Sequence, residues 1–282
     1  EIKFSNNMKK IFFALAIAAF CFSCTQEKAE KPKTAVVKQE KVLTPEQEFQ
    51  AHLNDLKKKF KRRGSNKDSL QIVYDNYLKE QAKIHLGDSL GLSITQSMAG
   101  DFNSQQLDSV MNLCELYKND AVLIELAQAS IAAEKTKPGK PYIDIAGEDV
   151  TTAKFDKKGK DISISKILAK GKPVLVNFWS SGSIASRTEM SKTIFSNYDE
   201  FEGKVNFVSI AVWEDSITFT HRAISELMIK WPCIYTGGKE DSPTQNYGIL
   251  KIPYAILIGR DGTIKARGMR GEEIRPAILK EL

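Results

Sequence analysis

Residues 173–190 read "PVLVNFWSSGSIASRTEM". After the proline, "VLVNFW" is apolar, β-branched or aromatic at every position except Asn177. A short run of that kind, bounded by a proline and a serine-rich stretch, predicts a strand buried on both faces. "SSGS" at 180–183 supplies small, turn-forming residues, and residues 183–197 suit a helix. A serine at a helix start accepts hydrogen bonds from otherwise unpaired backbone N–H groups, so Ser183, or Ser180 or Ser181, is expected to cap that helix. The turn is framed like a reactive site, yet it contains no Cys, His, Asp or Lys before Arg187.

Working outward, "VNFVSIAVW" at 205–213 reads as a second buried strand, and 216–230 as a second helix. "YAILIG" at 254–259, the "RDG" turn and "TIKARGM" at 263–269 read as a hairpin, with a closing helix from about 271. Upstream, "YIDIAG" at 142–147 predicts a strand, "FDKKGKDISI" at 155–164 a hairpin with a Lys-Gly turn, and "ISKILAK" a short helix. Strand–helix–strand followed by hairpin and helix argues for an α/β sheet with a parallel half and an antiparallel half.

The half before "KPGKP" at 137–141 has a helical period throughout. "TPEQ" at 44–47 offers Thr as cap, Pro at the first helical position and Gln for a capping box. Phe49, Leu53, Leu56 and Phe60 follow on one face, and "GSN" at 64–66 breaks the helix. Four further helices are predicted, around Leu70–Leu78, over 88–99, after Asn103 and over 120–135. Cys114 falls on the apolar stripe of the fourth, with Leu107, Val110 and Met111, and reads as a buried structural thiol. Residues 44–136 are thus an all-α module.

The N-terminus is a secretory signal. Met8-Lys9-Lys10 is a basic start, "IFFALAIAAF" is an apolar run of ten, and "CFSC" precedes an abrupt polar change at Thr25. Ten apolar residues are too few for a stable membrane span. Ser23 followed by Cys24 resembles a bacterial lipoprotein signal, although Cys21 and Phe22 stand where such signals usually have Leu and a small residue. The resemblance implies that Cys24 is acylated, and that the protein is secreted across the inner membrane and lipid-anchored facing the periplasm. Residues 1–7 precede the natural start. The expected organisation is a signal at 1–24, a Lys-, Glu- and Thr-rich tether at 25–43, the helical module at 44–136 and an α/β domain at 138–282. The chain has 41 basic and 35 acidic side chains, a formal +6. Most lysines lie in short runs of mixed sign, which reads as a solvated surface and not as a nucleic-acid footprint.

The α/β half carries a likeness to a known family. "KPVLVNFWSS", the following "RTEM" and "IPYAILIGRDGTIKARG" at 252–268 resemble the thioredoxin-like lipoproteins of the TlpA type, close to the alkyl hydroperoxide reductase and redoxin group. The likeness spans about 138–282 and implies a thioredoxin fold, a central mixed sheet flanked by helices, after the all-α module. In such proteins the strand ends N-F-W-A-S-W-C-G-P-C-R-x-E-M. Asn177, Phe178, Trp179, Ser181, Arg187, Glu189 and Met190 match that pattern. Gly182 stands for the Trp, Ile184-Ala185 for Gly-Pro, and Ser183 and Ser186 for both cysteines. Ile252-Pro253 resembles the cis-proline that lies against the active-site turn.

The family's chemistry needs a thiolate that attacks a disulfide and a second thiol that resolves the mixed disulfide. A serine hydroxyl is not ionised at neutral pH and exchanges no disulfide, so no catalytic residue is expected at Ser183 or Ser186. The resemblance leaves a binding groove of Trp179, Arg187, Ile252 and Pro253, open to a protein or an extended peptide. The rival reading is an active oxidoreductase or peroxidase using Cys233, which follows Trp231-Pro232 at a strand start and reads first as a structural cysteine, or using a partner's thiol. A third reading is purely structural, a lipid-anchored surface component whose helical module does the work, and two weaker readings stand beside these. Ser181-Gly182-Ser183-Ile184-Ala185 superficially resembles a nucleophile elbow, with His221, Asp199 and Asp215 as the available partners. Glu214 and Asp215 end a strand where some relatives carry a functional acid, but without thiols to serve they read as a solvated turn. Three scattered histidines and no close cysteine pair beyond the signal suggest no metal, and no cofactor is expected.

Overall fold

The computed structural model describes residues 43–62, 64, 66–153, 158–214, 216–236 and 243–282. The signal with Cys24, the tether up to residue 42, residues 155–157 of the expected hairpin and Asp215 lie outside the described residues.

By their contacts the residues divide into two compact units, one up to Tyr74 and one from Asp75 to Leu282. In the first, α1 (Pro45–Lys61) begins as the sequence predicts. Thr44 Oγ1 accepts from Gln47 N, and Gln47 Oε1 accepts from Thr44 N, which closes the capping box. The face with Phe49, Leu53 and Leu56 is buried. Phe60 meets Tyr74 of α2 (Lys67–Ile84) edge to face at 6.3 Å.

The second unit continues with α3 (Ser89–Ala99), α4 (Ser104–Met111), α5 (Glu115–Lys118) and α6 (Ala121–Lys135). Asp88, Asn103 and Asp120 cap α3, α4 and α6 through their side chains. Ala99, Leu107, Tyr117 and Leu123 form the buried centre of these helices. Cys114 is not on the stripe of α4, as the period suggests. That helix stops at Met111, and Cys114 stands in extended backbone just before α5, partly buried beside the same cluster.

The sheet then forms from β1 (Ala146–Asp149), β2 (Lys160–Ser163), β3 (Val174–Trp179), β4 (Asn206–Ala211), β5 (Cys233–Tyr235), β6 (Tyr254–Ile258) and β7 (Ile264–Met269). Their order is β2-β1-β5-β4-β3-β6-β7. Strands β5, β4 and β3 are parallel, and β6 and β7 continue antiparallel from β3. Helix α7 (Ile164–Leu168) precedes β3. A helical stretch follows it as α8 (Ile184–Glu189), a π-helical turn at Met190–Ile194 and α9 (Phe195–Phe201). Next come α10 (Ile217–Leu227), α11 (Pro243–Tyr247), which the sequence reading misses, and α12 (Ile274–Glu281). This is the thioredoxin fold, a central mixed sheet with helices on both faces, preceded by a helix-rich part.

Strand β3 shows why its sequence is almost wholly apolar. Successive side chains of a strand point to opposite faces. Leu175 and Trp179 join one core with Met190, Phe207 and Cys233, while Val174, Val176 and Phe178 join the other with Val208, Ile210 and Tyr247. Both faces are covered, so neither can be polar. The exception, Asn177, donates to Met190 Sδ at 3.6 Å.

"YIDIAG" yields a strand only from Ala146 onward. The backbone before it is satisfied elsewhere: Tyr142 N donates to Gly262 O, Ile143 N to Tyr247 Oη, and Tyr247 Oη in turn to Ile143 O. Helix α6 is joined to the sheet by Arg267 of β7. Its guanidinium donates to Ala133 O, Thr136 Oγ1, Tyr247 O and Tyr254 Oη. Gly248 lies where α11 approaches α6, and a Cβ there would stand 2.0 Å from Ala129 O. Its φ of +62° is in the left-handed region besides, so glycine is required on two counts.

Candidate functional site

The serine turn leaves the C-terminal end of β3 and enters α8. Ser183 Oγ accepts from Ser186 N at 3.2 Å and is the side-chain cap of α8. Ser186 is 0 % exposed, and its Oγ has no hydrogen-bond partner among the described residues. Buried hydroxyls are normally paired, because the unpaired group forfeits its hydration. The position is therefore poorly suited to the oxygen it carries. A thiol, with its weaker demand for partners, would suit it better.

Glu214 corrects the reading of a solvated turn. It is 4 % exposed, and its carboxylate accepts from Ser181 N at 2.5 Å and from Ser181 Oγ at 2.6 Å. Trp213, just before it, has φ +57°, a left-handed backbone that is uncommon for a residue with a bulky side chain. The carboxylate is a clasp on the turn. Ser183, the nucleophile of the elbow reading, caps α8, and Ser181 donates its hydroxyl to Glu214. His221, in α10, makes no side-chain hydrogen bond among the described residues, and Asp199 accepts from Lys230 at 3.4 Å. Among the described residues, which leave out Asp215, no base or orienting acid is hydrogen-bonded to the elbow's Ser183.

Beside the turn lies a cleft of about 450 Å³. It is lined by Ser180, Ser181 and Gly182 of the turn, Arg187 of α8, Trp213 and Glu214 after β4, and Phe219, Arg222, Ala223 and Glu226 of α10. Glu226 Oε2 accepts from Arg187 Nη2 at 2.8 Å, and Glu226 Oε1 accepts from Arg222 Nε at 2.9 Å. The Arg187 and Arg222 hydrogen bonds hold the Glu226 carboxyl below its usual pKa.

Of the expected groove, Arg187 lines this cleft. Trp179 does not. It is 0 % exposed, because the alternation along β3 turns it to the same face as Leu175 and into the core with Met190 and Cys233. The Ile252-Pro253 peptide is cis, with Pro253 buried and Ile252 partly so. Phe178 pairs with Tyr254 in the antiparallel ladder, so one further step sets Pro253 against Trp179 at the strand end. Neither residue of the proline pair lines the cleft.

Cys233 begins β5 and is wholly buried. Burial pushes its thiol up to about 12, the Trp179 indole acts in the opposite sense, and the Asp149 and Glu214 carboxylates add to the rise. Its N–H donates to Asp149 Oδ1 at 3.2 Å. Among the described residues, no group of His, Cys, Asp and Glu could hold a metal ion, and no helix is long and apolar enough to cross a membrane.

Sequence reasoning missed Trp213, Phe219, Arg222 and Glu226. One signal was available, since Arg222 and Glu226 stand four apart on a helix and so share a face. Nothing local indicates that Glu214 turns inward.

Comparison with known proteins bears on the domain built around this turn. Residues 139–267 match the AhpC/TSA family. The match takes in the serine turn, Cys233 and the cis-proline, and leaves the preceding helices outside it. No curated protein matches the chain. Among solved structures, the chain is similar to the thioredoxin domain of a thiol-disulfide oxidoreductase from Bacteroides vulgatus, at 24 % identity and TM-score 0.44 over 51 % of this chain and 96 % of that one. It is also similar to a thiol:disulfide interchange protein from a Bacteroides species, at 23 % identity and TM-score 0.44 over 52 % and 90 %. A thiol-disulfide oxidoreductase from Bacteroides fragilis is 19 % identical, with TM-score 0.44 over 51 % and 100 %. The region that matches the AhpC/TSA family has serines in the turn and, among the described residues, one buried cysteine, Cys233.

Proposed function

We propose that this is an envelope protein whose AhpC/TSA domain binds an extended segment of a partner protein and runs no thiol–disulfide cycle at its serine turn. The observation that carries the reading is the pair of serines. Ser183 is committed to capping α8, and Ser186 is sealed from solvent. Neither offers a thiolate, and the one cysteine of the domain does not replace them. Burial holds the Cys233 thiol well above its usual pKa, so it stays protonated at neutral pH behind a closed core. The retained architecture supports binding. An open cleft lined by two arginines adjoins the turn. We further propose that acylated Cys24 tethers the protein to a bilayer on its periplasmic side.

The test is thiol–disulfide exchange by the full chain, run beside Cys233→Ser and beside a double variant, Ser183→Cys with Ser186→Cys. We expect the unaltered chain and Cys233→Ser to be silent and the double variant to turn over. Exchange by the unaltered chain that Cys233→Ser abolishes would make this a one-cysteine enzyme and overturn the reading. The anchor is tested by feeding cells a radiolabelled fatty acid. Label should enter the protein and be lost in Cys24→Ala.

A further inference from the structure

We propose that the cleft selects an acidic partner segment, one that places an Asp or Glu carboxylate beside an apolar side chain; this rests on the protein-binding reading above. The charged groups of the cleft are unequally engaged. Both oxygens of Glu226 are taken, one by Arg187 and one by Arg222. Both oxygens of Glu214, the other carboxylate of the lining, are taken by Ser181. Each guanidinium, by contrast, gives a single N–H to Glu226, and its remaining N–H groups have no partner among the described residues. Each carboxylate oxygen keeps a further lone pair, but the guanidinium N–H groups left over outnumber these, so the unspent capacity of the cleft is mainly donor capacity. It sits on two forks that share one carboxylate and are oriented by it. Guanidinium forks match a carboxylate in geometry as well as charge. Phe219, 57 % exposed on the same wall with Ala223, supplies an apolar surface next to them.

Gly182 keeps the space open. Its φ is not left-handed, and a Cβ there would meet only Ser180 Oγ, at 4.0 Å. The backbone does not require glycine at 182, and a side chain there has open space beside the cleft that Gly182 helps to line.

The experiment titrates the full chain with three eight-residue peptides, blocked at both ends and identical except for a central Leu-Glu, Leu-Gln or Leu-Lys. We expect the Glu peptide to bind about tenfold or more tighter than the Gln peptide, the scale of one charge-assisted contact, and the Lys peptide to bind weakest. Arg222→Gln, at a side chain 78 % exposed, should remove most of that preference without unfolding the protein. Gly182→Trp should block all three peptides while leaving the melting temperature in place. Equal binding of the Glu and Lys peptides, unaltered by Arg222→Gln, would overturn the acidic preference and leave the protein-binding reading standing. Failure of all three peptides to bind the unaltered chain would overturn both. Unchanged binding by a folded Gly182→Trp would show that the segment lies elsewhere and overturn the assignment to this cleft.

Discussion

At the scale of single residues, Ser183 and Ser186 are chemically alike and physically opposed. Ser183 satisfies a backbone donor at a helix start, so Ser183→Ala should cost about 1 kcal/mol, the usual worth of a cap. Ser186 hides a hydroxyl with no partner. Removing a buried polar group that lacks a partner relieves a penalty of about 1–3 kcal/mol, reduced by the small void left behind. Ser186→Ala should therefore stabilise the protein by about 1 kcal/mol in urea unfolding. Equal losses for the two variants would mean that Ser186 has a partner in solution. The sequence places both serines in the turn but cannot tell them apart, because burial is set by neighbours in space and not along the chain.

At the scale of elements, Arg267 holds three pieces together. Its guanidinium reaches the C-terminal end of α6, the end of α11 and the Tyr254 hydroxyl of β6. Unpaired carbonyls at a helix C-terminus attract a cation. Arg267→Met would leave Ala133 O and Tyr247 O without this donor. Hydrogen bonds from charged groups are worth about 1.5–3 kcal/mol each and do not simply add, so we expect a loss of about 2–4 kcal/mol by chemical denaturation. A change below about 0.5 kcal/mol would show the cluster to be solvated. In the sequence, Arg267 is one polar residue of a hairpin strand, and its acceptors at 133 and 136 lie 134 and 131 positions away. Helix α11 escapes sequence reading for the same kind of reason. It is five residues long, too short to show a period, and it owes its place to contact with α6.

At the scale of the whole molecule, the AhpC/TSA match starts at residue 139, but the contacts of the domain do not. Thr136 is wholly buried, and α6 packs on α11 within the unit that begins at Asp75. A chain starting at Lys137 should therefore fold less stably than the full chain. Loss of two of the four Arg267 acceptors, Ala133 O and Thr136 Oγ1, removes about 1–2 kcal/mol, which lowers the melting temperature by about 5 °C for a domain of this size. Equal melting temperatures for the two would show that the preceding helices are dispensable to the sheet.

By itself the sequence determined the elements that local physics controls. Thr44, Asn103 and Ser183 are at the caps their chemistry favours, the apolar run at 174–179 is the buried central strand, and the order of strands and helices specifies the mixed sheet. It also determined that no thiol stands in the turn. Only the tertiary structure decided which groups face one another. It buried Trp179, which the motif alone would leave in a groove, because alternation along β3 sets it in the core. It turned Glu214 inward onto Ser181 and sealed Cys233 from solvent. It set Arg187 across from Arg222 around one carboxylate, making a cleft from residues 35 positions apart. Caps, periods and turns depend on neighbours within a few residues along the chain. Burial, the pKa of a thiol and the sharing of a carboxylate depend on neighbours in space, and those exist only once the sheet and its helices have closed.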